Sequence, residues 1–331
     1  MSQVEISKDM TTIIKGFAIL FMISHHVLIK EFYINPPEFL YSFVALRLYI
    51  GMKMCVGIYT FFIGYAYFYS KGKTNLVSIF NRIWKLLQKY WIILLVTISI
   101  TIWGGYQVEY GEVLYNMVGL KHQYNLANWY VYFYIYALFL LPLFPFLFKR
   151  YKWLCLILAL IICGIGDNLI NGSNFLLVAL KECLRYTPML MVGYVCASTK
   201  ILQKCIHLLQ ETFIARNIYW IMIGVLAVVL RCGFPYICGI VSDIIFVPIF
   251  VMAVSVLFNG CKQNFLAKAL TSLGLCSTMM WFIHAIPLST ATREIFQSLP
   301  LWINDSVYLF VMITGISYLI ALGYNHLFVK R

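Results

Sequence analysis

Charge is what this sequence lacks most, and negative charge above all. Of 331 residues only 12 are Asp or Glu, against 25 Lys or Arg; charged side chains make up 11% of the chain and hydrophobic ones 62%. With a strongly positive mean hydropathy, such a composition lies outside the range of water-soluble domains and excludes a soluble enzyme or binding module. The ten cysteines contain no C-x-x-C pair and form no His/Cys cluster at zinc spacing. No metal site is therefore indicated, and most cysteines read as small apolar packing residues. Cys232 and Cys238 share an expected outer loop, where a bridge is one reading and simple packing the other. No linker, low-complexity tract or soluble insertion interrupts the chain, so residues 1–331 read as a single membrane domain. No internal repeat is evident, which weakens a transporter built from two similar halves.

What is present is a series of apolar runs. A helix needs roughly 20 residues to cross about 30 Å of hydrocarbon. Runs of that order fall near 10–30, 42–69, 88–104, 126–148, 152–170, 183–198, 216–233, 238–258, 268–289 and 306–328. The expected fold is all-α, a polytopic integral membrane protein with about ten transmembrane helices. With the N-terminus inside, the inner segments collect sixteen of the 25 basic residues, including Lys71, Lys73, Arg82, Lys85, Lys89, Lys149, Arg150, Lys152, Arg216, Lys262, Lys330 and Arg331. That bias predicts both termini in the cytosol. The formal net charge of +13 is then a topology signal and implies no nucleic-acid partner. The first apolar run is too long for a signal peptide and no small-residue cleavage site follows, so it is expected to stay as an anchor. The segment 199–216 sets Leu and Ile at helical spacing among basic residues, the pattern of a helix lying along the inner surface.

Ionisable groups inside a membrane cost about 2.5–3.5 kcal/mol each and are functional candidates by default. Those expected within the helices are Lys15, His25, His26, Arg47, Lys53, Arg185 and His284, all basic, while every Asp and Glu falls in an expected loop or helix end. Cation-coupled carriers usually need a buried carboxylate, so this pattern argues against them. An all-basic interior favours an anionic guest bearing phosphate or carboxylate. In KGFAILFMISHH, Lys15 and His26 stand eleven residues apart, on one helix face and about 16 Å apart along the axis. That suits an extended molecule, anionic at one end and reactive at the other. A neutral histidine beside a hydroxyl can act as a general base. The competing reading has Lys15 snorkelling to headgroups and the histidines as hydrogen-bonded packing residues.

These residues resemble the integral-membrane acyltransferase 3 family, which includes polysaccharide O-acetyltransferases. Its first helix carries a basic residue, a glycine, an apolar run and a histidine eleven positions on, matched here by Lys15, Gly16, FAILFMISH and His26. Its third helix opens with two basic residues three apart at the cytosolic face, matched by Arg82 and Lys85 in NRIWKLLQKYW. YTFFIGYAYF (59–68), ANWYVYFYIYALFLLPLF (127–144), RYTPMLMVGYVCA (185–197) and LGLCSTMMWFIHAIP (273–287) are similar to its second, fourth, sixth and ninth helices. The chain departs from the family at Thr12, where relatives often have an acidic residue, and at Ile63, where a serine is frequent.

The resemblance implies acetyl-coenzyme A as acyl donor, its phosphates held at the inner mouth by Lys15, Arg82 and Lys85. His26 would act as base on the hydroxyl of a surface or exported glycan, or its lipid-linked precursor, in the plasma membrane, or pass the acyl group on. Arg47 and Arg185 are further candidates to hold an acidic sugar or the thioester oxyanion, Asn128 and Trp129 to bind the sugar by hydrogen bonding and ring stacking, and Lys53 is a further substrate-binding candidate. For Arg47 and Arg185 the alternative is an interhelical contact, and for Trp129 a lipid anchor. His25 is expected to bond a neighbouring helix and His284 to be a packing residue. A transporter or flippase for an anionic lipid-linked sugar is the competing class.

Overall fold

A computed structural model of the protein describes residues 6–70, 75–169, 174–212, 217–233, 236–259 and 264–328. Lys71, Lys73, Arg216, Lys262, Lys330 and Arg331 of the expected inner segments lie outside the described residues, as do the side chains of Lys152 and Cys238. The described chain is mainly helical and contains no strand. Its α-helices are α1 (Lys8–Val27), α2 (Phe43–Met52), α3 (Met54–Tyr69), α4 (Leu76–Trp103), α5 (Tyr110–Met117), α6 (Trp129–Leu140), α7 (Phe144–Leu169), α8 (Phe175–Thr199), α9 (Ile201–Thr212), α10 (Asn217–Gly233), α11 (Tyr236–Leu257), α12 (Phe265–Ile283), α13 (Arg293–Gln297) and α14 (Ser306–Phe328).

Among the described residues, six helical stretches are long and apolar enough to cross a membrane: Lys8–Val27, Phe43–Tyr69, Leu76–Trp103, Trp129–Tyr151, Phe265–Leu288 and Ser306–Phe328. The other four expected runs are helical over α7, α8, α10 and α11 but are not among those six. The segment 199–216 is helical over α9, with Leu202 and Ile206 buried and Lys204, His207 and Leu208 exposed.

Helix starts depart from the hydropathy limits, and the cause is capping. Asn75 accepts a hydrogen bond from the Ser78 amide at 2.9 Å and starts α4 twelve residues before the apolar run expected at 88. Asn174 accepts from the Leu176 amide at 2.9 Å and starts α8 ahead of the run expected at 183. An asparagine oxygen satisfies one of the orphan amides of a first turn, so a polar lead-in turn becomes helix. As a result Arg82, Lys85 and Lys89 lie on α4, and Lys181 and Glu182 lie inside α8. The run 42–69 is broken at Lys53, which ends α2 and begins α3.

Two helix pairs pack with their backbones nearly touching. In α1 against α12, a Cβ on Gly16 would overlap the Leu270 carbonyl and one on Gly274 would overlap the Thr12 carbonyl. In α3 against α8, Gly64 stands in the same relation to the Leu190 carbonyl, and Gly193 to that of Phe61. Each pair is reciprocal, a small residue from each helix receiving the partner's backbone. In hydrocarbon, where burial of apolar surface gives helices little reason to associate, such close approach supplies the packing energy. Replacing Gly193 or Gly274 by Ala is expected to destabilise the detergent-solubilised protein by about 1–3 kcal/mol, read as a lowered melting temperature. Gly315→Ala on α14, where a Cβ meets nothing within 4 Å, should not lower it.

Candidate functional site

The close pairing of α1 with α12 and α3 with α8 leaves two cavities on opposite sides of one aromatic cluster. The first, about 340 Å³, opens where α1 begins, α3 ends and α4 begins. Its lining includes Lys15, Arg82, Lys85 and Lys89, the aromatic side chains Tyr59, Tyr67, Tyr130, Tyr134 and Trp281, and no carboxylate. Positions 82, 85 and 89 are spaced i, i+3, i+7, so α4 presents them on one face. Arg82 and Lys85 are exposed, while Lys15 and Lys89 are half-buried. Four cations without an acidic partner in the lining make a receptacle for a polyanion.

The second cavity, about 260 Å³, lies at the other end of α1 and is lined by His25, His26, Tyr49, Lys53, His122, Trp129, Tyr132 and Glu182, among others. It runs into a third space of about 460 Å³, which shares His122, Leu126, Tyr132 and Val178 with it and adds Glu112, Lys121, Gln123, Phe175 and Thr290. Lys121 is paired with Glu112 there and lies over the Tyr115 and Phe175 rings. Burial lowers the His122 pKa from the ordinary imidazole value, with Glu182 acting against it. His122 is therefore neutral at pH 7, a donor and acceptor for an uncharged polar guest.

Between the two cavities stand Tyr59, Tyr130 and Trp281. The Trp281 ring centroid lies 4.8 Å from that of Tyr59 and 4.7 Å from that of Tyr130, and Trp129, on the far side, is 5.7 Å from Tyr130. The single track expected from Lys15 to His26 is thus divided. Lys15, Arg82 and Lys85 share one cavity, as expected, and His26 lines the other.

The His26 imidazole is set by a residue 258 positions away. Its Nδ1 lies 2.8 Å from His284 Nε2, the rings are stacked at 5.0 Å, and His284 Nδ1 lies 3.0 Å from the Met280 carbonyl. A carbonyl only accepts, so His284 carries its proton on Nδ1. In the neutral ring Nε2 then accepts, and His26 donates from Nδ1. This leaves the lone pair of His26 on Nε2, which has no partner among the described residues. The arrangement has the form of a base held by an orienting group. His284 was expected to be packing alone, and nothing local in IHAIP reveals its partner. His25, as expected, bonds a neighbouring helix: its Nδ1 donates to the Tyr49 carbonyl at 2.7 Å and its ring stacks on Tyr49. It nevertheless lines the same cavity as His26.

Several candidates fall elsewhere. Asn128 is fully buried and donates to the Tyr90 hydroxyl at 2.9 Å and the Lys121 carbonyl at 2.5 Å. Tyr90 in turn donates to the Asn116 carbonyl at 2.8 Å, and Trp281 Nε1 donates to the Ala127 carbonyl at 3.1 Å. Asn128 belongs to a knot that ties the 104–128 segment to α4 and α12, and it lines neither cavity. Arg47 donates to the Gly233 carbonyl at 3.1 Å and covers the Phe43 ring, away from both. Arg185 is paired with Glu182 at 2.6 Å and does not line the cavities, whereas Glu182 does. Lys53 and Trp129 line the second cavity, Trp129 stacked on Tyr186 at 5.4 Å.

The expectation of an interior without acids is overturned. Glu182 lies within α8 because the Asn174 cap starts that helix early, and Asp243 lies within α11, 2% exposed, bound to Arg231 at 2.5 Å. Arg231, near the end of the expected run 216–233, is itself 1% exposed. A buried pair costs most when one partner is removed. Arg231→Met alone is expected to destabilise the protein by about 3–5 kcal/mol, and adding Asp243→Leu to recover most of that loss. Thermal unfolding in detergent of the two variants checks it.

Compared with protein-family models, curated proteins and solved structures, the chain finds no match.

Proposed function

We propose that the protein is a membrane acyltransferase of the acyltransferase 3 type. It transfers an acetyl or other short acyl group from acyl-coenzyme A to a hydroxyl of a surface or exported polysaccharide, or of its lipid-linked precursor. In this reading it is a multi-pass protein of the plasma membrane with about ten crossings and both termini in the cytosol. The observation that carries the reading is the division of labour along α1: a four-cation cavity at its N-terminal end and a histidine pair in a separate cavity at the other.

The phosphates of the donor would rest on Lys15, Arg82, Lys85 and Lys89 from the cytosolic side. Its pantetheine arm would pass the Tyr59, Tyr130 and Trp281 rings by their rotation. The acceptor sugar would enter through the space lined by Lys121, His122, Gln123 and Phe175 and reach the second cavity. There His26 Nε2 takes the hydroxyl proton as the oxygen attacks the thioester carbonyl. The C–S bond breaks, the ester forms, and the thiolate recovers the proton from His26. His284 Nε2, facing the Nδ1–H of His26, stabilises the imidazolium formed on the way. Lys53, which lines the same cavity, would contact the acceptor.

Transfer from labelled acetyl-coenzyme A by the purified protein is the test. His26→Ala is expected to lower kcat by about 10²–10⁴-fold, the usual worth of a positioned base. His284→Ala should lower kcat less, with KM for the donor unchanged. Arg82→Ala and Lys85→Ala should instead raise that KM, by about ten-fold each for a lost charge-assisted contact. The corresponding His26→Ala strain should lose acyl esters from its surface glycan.

A transporter or flippase for an anionic lipid-linked sugar is the second reading. The observation favouring it is the pair of cavities on opposite sides of one aromatic barrier, together with the interior acids Glu182 and Asp243. No turnover of acetyl-coenzyme A, and no rise in melting temperature on adding coenzyme A, would favour transport and sink the acyltransferase.

A further inference from the structure

The last turn of α1 carries two histidines, and both line the second cavity although neighbouring residues on a helix point about 100° apart. The base described above is His26; nothing so far gives His25 a part beyond its bond to α2. The His25 ring lies flat on Tyr49, with centroids 4.4 Å apart and planes at 12°. Its centroid is 5.1 Å from that of His26, and those two rings are tilted by 46°. A carbonyl only accepts, so the 2.7 Å bond to the Tyr49 carbonyl puts the His25 proton on Nδ1. The lone pair of the neutral ring then stands on Nε2, as it does in His26.

Neither Nε2 has a hydrogen-bond partner among the described residues, and neither is among the unpartnered polar atoms shut away from a water-sized contact. Both lone pairs are therefore open to the cavity that their residues line. A lone pair only accepts, so a guest of this cavity meets two acceptors side by side. Phosphate, carboxylate and thioester groups bring no hydrogen to give them. Two hydroxyls on adjacent carbons of a sugar bring two O–H donors close together. Hydrogen bonds of about 2.8 Å from such a pair reach nitrogens on rings 5.1 Å apart. Trp129 and Tyr132 in the same lining offer aromatic surface to the carbon face of a sugar ring.

We propose that His25 determines which acceptor is used: its Nε2 accepts from the hydroxyl next to the one that His26 deprotonates, so the acceptor sugar presents a vicinal pair of hydroxyls. The proposal rests on the acyl-transfer reading, which says which hydroxyl reacts. His25 takes no proton; its hydrogen bond turns the sugar so that one oxygen among several faces His26. The two rings have separate anchors, His25 on the Tyr49 carbonyl of α2 and His26 on His284 beside α12. Their separation is thus set by the packing of three helices and not by the guest. The product is a monoester whose neighbouring hydroxyl is still free.

The acceptor for the test is the surface glycan extracted from a His26→Ala strain, offered to the purified protein with labelled acetyl-coenzyme A. His25→Asn keeps a donor for the Tyr49 carbonyl and removes the distal acceptor, whereas His25→Gln places an acceptor near the position of Nε2. His25→Asn is expected to raise KM for the glycan about ten-fold, the worth of a donor left unmatched, with kcat changed by less than about two-fold. KM for acetyl-coenzyme A and the melting temperature should stay as they are, and His25→Gln should recover most of the affinity for the glycan. Mild periodate, which cleaves vicinal diols, should abolish acceptance by the glycan, and NMR of the product should place the ester beside a carbon with a free hydroxyl. Acceptance that survives periodate, or an ester flanked only by deoxy, amido or glycosidically linked carbons, overturns the diol. An unchanged KM in His25→Asn overturns the part given to His25, and so does an equal rise in His25→Gln together with a lowered melting temperature. A fall in kcat of about 10²-fold or more in His25→Asn would make His25 the base and overturn it as well. Failure of the unaltered protein to label this glycan, or esters persisting in the His26→Ala strain, sinks acyl transfer and the proposal with it. Transfer insensitive to His25→Asn sinks the proposal alone.

Discussion

Everything in the site depends on backbone contact at four glycines. Gly16 and Gly274 let α1 and α12 approach until each receives the other's carbonyl, and Gly64 and Gly193 do the same for α3 and α8. At ordinary helix spacing, with larger side chains between the axes, His26 on α1 could not reach His284 at the end of α12 across 2.8 Å. Nor would Tyr59 of α3 and Trp281 of α12 meet at 4.8 Å above Lys15. The first pair aligns the histidines, and both pairs together set the barrier between the cavities. Small residues at helix crossings are the membrane counterpart of a packed core, since apolar burial alone gives neighbouring helices little preference over lipid.

That barrier decides how charge is distributed. In the acyl-transfer reading, cations left in one continuous cavity with the histidines would place a polyanion against the general base and favour its protonated form. Tyr59, Tyr130 and Trp281 line the cavity of Lys15 and not that of His26, so the four-cation end and the histidine end occupy separate compartments. The acids are partitioned as well. Asp243 neutralises Arg231, Glu182 holds Arg185, and Lys53 shares its cavity with Glu182. The lining of the second cavity therefore contains a carboxylate, which that of the first does not. In the acyl-transfer reading this lets a neutral sugar enter from one side while a coenzyme with several negative charges docks from the other.

How much of this was legible follows from where the information sits in the chain. Apolar runs longer than a bilayer is thick identify most helices, and the Lys15-to-His26 spacing places both residues on one face because both belong to one helix. The grouping of Arg82 with Lys85 is legible for the same reason, and Lys89, one turn further, could have been added from the i, i+3, i+7 spacing. The misplacement of Glu182 came from ending helices where hydropathy falls. Asn174, eight residues upstream, is a capping signal that a hydropathy window ignores, and Asn75 is another. What could not be read was contact between distant segments. The bond from His26 to His284 joins opposite ends of the chain, and the pairing of Arg231 with Asp243 bridges two helices across a connection outside the described residues. Asn128 misled for a physical reason: an asparagine beside a tryptophan reads equally well as a sugar-binding pair or as a buried fastener, and only its three-dimensional partners decide.

In the acyl-transfer reading, His284 is the point at which these separate features meet. Its Nδ1 is committed to a backbone carbonyl one turn earlier on its own helix, so its orientation is inherited from α12 and not chosen by a guest. Its Nε2 fixes the tautomer of His26, which leaves the lone pair of that ring on Nε2 in the residue that lines the second cavity. A side chain that touches no proposed substrate can in this way govern the geometry of the group that does, because a stacked, doubly bonded imidazole has few alternative positions open to it.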